Sequence, residues 1–234
     1  MQHHRIATLG LAAALLATAP AAAASLDVTV TNLSHNIYFT PLLVAAHPAT
    51  SDLFSVGMAA SADLQIMAEC GDIAALSTTL AGAAADLVAN PAAGLLAPGA
   101  STTAMLTTAS ANTRLSVVAM GLPTNDGFVG LDSATIPSAP GTYTFDLNLY
   151  DAGTEANDEL FSTGCSAGLP GIPADPTMLG GTGGTGVAGA DATATVHVHR
   201  GTLGDTNATG GASDLDSTVH RWQNPVARVE LTVN

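Results

Sequence analysis

Apolar and polar residues alternate through T-Y-T-F-D-L-N-L-Y, residues 142–150. Tyr143, Phe145, Leu147 and Leu149 take one face; Thr144, Asp146, Asn148 and Tyr150 take the other. A period of two predicts a half-buried β-strand. Residues 26–31 (L-D-V-T-V-T) alternate in the same way and predict the first strand. Residues 102–108 read as an extended Thr-rich segment, and 127–131 (G-F-V-G-L), 193–199 and 226–233 as further strands. Residues 114–120 (R-L-S-V-V-A-M) form a nearly unbroken apolar run, which suits a central strand. Residues 37–45 begin an extended segment that Pro41 interrupts, as at an edge or a bulge, and His47-Pro48 ends it.

One region departs from this period. S-A-D-L-Q-I-M-A-E-C-G, residues 61–71, reads as a short helix with Ser61 as N-cap and Gly71 at its C-terminal end. Asp72 is placed to cap a second helical piece through Ile73 and Leu76. The whole of 61–89 reads as helical insertion beside a sheet. Many short strands with turn signals and little helix predict an all-β, antiparallel β-sandwich.

The chain has 234 residues, and its beginning reads as an export signal. Arg5 and neighbouring histidines precede an apolar run over 6–17, and Ala22-Ala23-Ala24 before Ser25 offers a small-residue cleavage site. This divides the chain into a signal peptide, 1–24, and one β domain, 25–234. No run is long enough to span a membrane comfortably. The expected location is secreted or periplasmic. Residues 164–191, which contain G-G-T-G-G-T-G, read as a flexible Gly-rich surface insert.

Charge narrows the partners. The chain has five Arg, no Lys and 19 Asp plus Glu, for a net charge of −14. Such a surface repels nucleic acid and anionic membrane and attracts cations. Aromatics are only 4% of residues, so the core is expected to be built from Val, Leu and Ala. Cys70 and Cys165 form either one disulfide, in keeping with an oxidising compartment, or two buried thiols.

The candidate chemistry follows the alternating strand directly. Asp151, Gly153, Glu155, Asn157 and Asp158 crowd oxygen donors into one turn, and Gly153 permits a left-handed backbone there. Such a turn either holds a hard cation or is a solvated acidic loop. Strand parity adds a partner. In a meander of 114–120, 127–131 and 143–150, the turn at Asn125-Asp126 falls at the same end of the sheet as 151–158. Asp126 then joins Asp151 and Glu155, and three carboxylates with carbonyls and water would satisfy calcium.

Two other constellations compete. His197 and His199 share a strand face and with His220 would suit zinc or copper, but no spacing fixes the third ligand and ordinary hydrogen-bonding histidines on a half-exposed strand face explain them better. Gly164-Cys165-Ser166-Ala167-Gly168 matches G-x-S-x-G, yet a Gly- and Pro-rich stretch follows where a nucleophile elbow needs a helix.

The runs V-A-M-G-L-P-T-N-D-G-F-V-G-L, L-Y-D-A-G-T-E and N-P-V-A-R-V-E-L, in that order, resemble a spondin domain, the type found in F-spondin and mindin. The animal members carry S-P-D-W where this chain has P-T-N-D, so their Trp is absent and Phe128 takes part of its packing role. The resemblance implies an eight-stranded Greek-key sandwich like calcium- and lipid-binding modules. It also implies calcium held by Asp126, Asp151 and Glu155, with Glu155 standing where the animal proteins have Asp. The expected function is a secreted calcium-binding β-sandwich module for adhesion or extracellular binding, its ligand an unspecified extracellular or cell-surface molecule. The alternatives are a metal-dependent hydrolase using the same acids and a structural envelope protein without an ion.

Overall fold

The computed structural model describes residues 23–187 and 194–234. The expected export signal, apart from its last two residues, and positions 188–191 of the Gly-rich insert lie outside the described residues, as does Thr193.

Among the described residues ten strands and two helices follow one another in the order β1 (Ser25–Asn32), β2 (Tyr38–Phe39), β3 (Leu43–His47), α1 (Ala62–Cys70), α2 (Ala74–Gly82), β4 (Asp86–Ala89), β5 (Ser101–Thr107), β6 (Arg114–Leu122), β7 (Gly127–Thr135), β8 (Gly141–Asp151), β9 (His197–Val198) and β10 (Ala227–Val233). Every strand pairing is antiparallel. The sheet runs β4-β3-β6-β7-β8-β10-β1-β5, with β2 beside β6 and β9 beside β8. Its end strands β4 and β5 lie against each other, so the expected sandwich takes the form of one sheet curled into a nearly closed barrel. Closure leaves few unpaired edges, the usual hazard of an all-β chain.

Burial explains the two kinds of strand pattern. β1 alternates because only one face is covered: Leu26, Val28 and Val30 point into the barrel, with Leu106, Val229 and Leu231. β3 and β6 are buried on both faces. Val44, Ala46, Val117 and Ala119 face the barrel interior, while Leu43, Ala45, Val118 and Met120 face a second core built with Leu64, Met67 and Ala68 of α1. The unbroken apolar run of 114–120 is thus a strand with a helix laid over its outer side. Phe39 and Phe128 are the largest wholly buried side chains in a core that, with Phe54, is otherwise made of Leu, Ile, Val, Met and Ala.

The first helix begins and ends where its caps predict. Ser61 Oγ accepts from Leu64 N at 3.1 Å, and Gly71, at φ 69°, donates its N–H to Met67 O. Each such cap is worth about 1 kcal/mol. Asp72 Oδ1 accepts from Ala74 N at 2.8 Å. Residues 86–89 correct the helical reading of that stretch: D-L-V-A is a strand, β4, on β3. Four residues after an Ala-rich run are too short to show a period; the pairing, not the local pattern, makes them a strand. Pro41 separates β2 from β3.

Cys70 and Cys165 are bonded, with Cα atoms 5.6 Å apart across a sequence separation of 95. The chain-entropy argument gives a loop of that length about 4–5 kcal/mol.

Candidate metal centre

Residues Gly121-Leu122-Pro123-Thr124-Asn125-Asp126 leave β6 and turn into β7. Thr124 ties the turn: its Oγ1 donates to Gly121 O at 2.6 Å and accepts from Gly127 N at 3.0 Å. β7 then pairs with β8 in the register Gly127↔Asp151, Phe128↔Tyr150. That register sets Asp126 beside the end of β8 at one rim, as strand parity requires. Phe128 fixes it from beneath, edge-on to Phe54 at 5.0 Å and tilted against Tyr150 at 5.7 Å.

The segment 152–158 wraps the Asp126 carboxylate. Ala152 N donates to Asp126 O at 3.2 Å. Asp126 Oδ2 accepts from Thr154 N at 2.8 Å, Thr154 Oγ1 at 3.2 Å and Glu155 N at 3.3 Å. Asp151 Oδ1 accepts from Gly153 N at 2.7 Å and its Oδ2 from Asn157 Nδ2 at 2.6 Å. Gly153, at φ 70°, is obligatory: a Cβ there would meet the Thr195 backbone at 2.5 Å. Glu155 Oε2 accepts from Gly171 N at 2.7 Å, from the Gly-rich insert.

Two oxygens stand apart from this network. Asp126 Oδ1 and Glu155 Oε1 are buried and have no hydrogen-bond partner. Asp126 and Asp151 are both wholly buried. Their electrostatics register the crowding. Burial, and then the Asp151 charge, push the Asp126 carboxyl well above the usual range. Burial pushes Glu155 from 4.5 up to about 8; the Gly171 N–H and the Asn125 side chain oppose this, and the Asp126 and Glu69 charges add to it. Among the described residues no group of three or more His, Cys, Asp or Glu side chains is already drawn together as a metal cage. The carboxylates turn oxygens toward backbone N–H groups instead.

The three acids expected to act together therefore share one rim. The histidines do not gather. His197 Nδ1 donates to Thr195 O at 2.8 Å, and its Nε2 lies 3.6 Å from Asp151 Oδ2. His199 packs on Trp222 at 4.9 Å. His220 Nδ1 accepts from Asp216 N at 3.0 Å, so its Nε2 carries the proton and donates to Thr177 Oγ1 at 2.8 Å. The G-x-S-x-G run lies in a turn, with Cys165 in the disulfide and Gly168 N on Glu69 Oε2 at 2.6 Å, and among the described residues no strand leads directly into it and no helix follows it.

Glu69 was not legible as part of this site. It reads as one polar residue near the end of α1, yet it is buried, and its charge acts on Glu155. A second layer also went unread. The described residues of 159–187 and 194–220 hold little regular structure, but their carboxylates capture backbone N–H groups. Asp175 takes four donors, from Thr177 N and Oγ1, Leu179 N and Gly180 N. Glu159 takes Leu203 N, Gly204 N and Ser213 Oγ at 2.6–2.8 Å. Asp205 takes Asn207 N, Ala212 N and Ser213 N. Asp214 takes Phe161 N and Gly184 N. The signal was present in Asp175-Pro176-Thr177, Asp205-Thr206-Asn207 and Asp216-Ser217-Thr218, each an acid two residues before a side chain that turns locally.

The fold and rim define a class: an all-β, nearly closed barrel-like module with buried acids on adjoining turns at one end. The sequence profile of the spondin N-terminal domain family (Spondin_N) matches residues 31–167, more than half of the chain, and the chain belongs to that family. The match takes in Asp126, Asp151, Glu155 and both cysteines; the closing strand β10 lies beyond it. The family is one of extracellular, adhesion-type modules. No curated protein matches the sequence. Among the described residues no helix is long and apolar enough to cross a membrane.

Proposed function

We propose that this chain is an exported, calcium-stabilised binding module whose rim is ordered by one ion held through Asp126, Asp151 and Glu155, and which presents that rim to an extracellular or cell-surface ligand. The observation that carries the reading is Asp126, wholly buried, with Oδ1 left without a partner. A buried carboxylate oxygen without a donor is expensive unless something cationic faces it. Glu155 Oε1 is in the same position. All donors are carboxylate oxygens, the chemistry of a hard ion. When bound, calcium would supply the positive charge that these acids lack. Asp126 and Glu155 would offer their free oxygens, and Asp151 would trade part of its hydrogen bonding for the ion. The Cys70–Cys165 bond and the apolar run at 6–17 support export into an oxidising compartment.

The reading is tested by thermal melting with calcium and with chelator. At calcium one hundred times its Kd the gain is about 2.7 kcal/mol, or roughly 5–10 °C in Tm for a domain of this size. Asp126→Asn is expected to melt at one temperature in both conditions. A wild-type chain that melts identically with and without calcium would refute the reading.

A further inference from the structure

We infer that the Cys70–Cys165 disulfide is the lock on the rim: closing it raises calcium affinity, and bound calcium in turn protects it from reduction. The inference rests on the calcium reading above and extends it to regulation of the same site.

The geometry runs through one segment, 160–172. Its foot is clasped by Ser162 N donating to Ile172 O at 2.9 Å and Ile172 N donating to Leu160 O at 2.7 Å. Its tip carries Cys165 and Gly168. Between them Gly171 N donates to Glu155 Oε2. The tip is fixed to α1 at two neighbouring residues, by the disulfide at Cys70 and by Gly168 N on Glu69 Oε2. α1 is itself rigid, because Leu64, Met67 and Ala68 are packed in the second core. The disulfide thus ties the segment that aims Glu155 to the best-anchored helix of the fold. Glu69, held by the same tip and by Gln65 Nε2 at 2.8 Å, sets the charge behind Glu155.

Reduction by a dithiol balances simply. The S–S bond breaks, Cys70 and Cys165 each gain an electron and a proton, and the dithiol closes to its own disulfide. The tip is then held to α1 only by hydrogen bonds to Glu69, from Gly168 N and from the Cys165 thiol, whose Sγ lies 3.3 Å from Glu69 O, and Glu155 must be ordered more by the ion than by the loop. Linkage makes the effect reciprocal: whatever factor reduction takes from calcium affinity, calcium returns to the disulfide.

The test is calorimetric titration of calcium into the exported chain, oxidised and then reduced with dithiothreitol, with far-UV circular dichroism recorded on both. A second arm measures the thiol–disulfide midpoint with and without saturating calcium. The expected result is a folded reduced chain that binds calcium about tenfold more weakly, and a midpoint about 30 mV more reducing in calcium. Equal affinity in both forms with no midpoint shift would overturn the inference and leave the calcium reading standing. An oxidised chain that binds no calcium would overturn both. A reduced chain that unfolds would also overturn it, since the disulfide would then hold the fold and not the site.

Discussion

Two sets of buried or half-buried carboxylates behave in opposite ways in this molecule. In the loop layer, Asp175 draws four donors, two to each oxygen, and its carboxyl is held far below the ordinary range by His220, Thr177 and Gly180, which outweigh its burial. At the rim, Asp126 draws three donors onto one oxygen and none onto the other, and burial drives its carboxyl upward. The same side chain is a staple where its lone pairs are filled and, in the reading proposed above, a calcium ligand where they are not. Composition alone does not separate the two uses. What separates them is whether the surrounding backbone turns its N–H groups inward on both sides.

The sharpest way to break this contrast is to remove one member of each set. Glu159→Ala strips acceptors from Leu203 N, Gly204 N and Ser213 Oγ at once. With about 1–3 kcal/mol for each donor left buried, and partial rescue by water, the expected cost is about 3–5 kcal/mol in urea unfolding. Asp126→Asn in calcium-free buffer is expected to cost little or to stabilise, because it removes charge from a crowded buried site. Equal destabilisation by the two substitutions would erase the distinction.

A smaller effect is expected from pH, with opposite signs in the two regions. Glu155 keeps its proton up to about 8 in the folded chain but releases it near 4.5 when unfolded. Its contribution is therefore full in acid and is lost as pH rises through that window. Asp126 acts in the same direction. The calcium-free chain should lose stability from pH 5 to pH 8.5, and saturating calcium should flatten the slope. Asp175, Asp205 and Asp216 are lowered, so their contribution is present above 3.8 and lost as pH falls through their folded values. Amide-exchange protection factors, corrected for the slower intrinsic exchange in acid, should fall first at Thr177, Gly180 and Ala212 on acidification. A calcium-free stability that climbs steadily from pH 5 to 8.5 would contradict the assignment of the raised acids.

Much of the scaffold was readable because its signals are local. The alternation of 142–150, the Ser61 and Gly71 caps and the Pro41 break each depend on a few neighbouring residues, and each sits where the pattern put it. The joining of Asp126 to Asp151 was also readable, since strand parity needs only three consecutive strands. What escaped depends on partners distant in sequence. β4 is a strand only because β3 lies beside it. Glu69 matters only because a disulfide closes a separation of 95 residues and brings Gly168 to it. Glu159, Asp205 and Asp214 look like solvated acids in a Gly-rich run, and only the folded loops show whose N–H groups they collect.

The most direct test of the central claim is a calorimetric titration of calcium into the oxidised chain near neutral pH, repeated in two buffers of different ionisation enthalpy and with Asp126→Asn. One ion per chain, bound with release of protons from the raised acids and lost in Asp126→Asn, is the predicted result. No binding at millimolar calcium, or binding that Asp126→Asn leaves untouched, would contradict it.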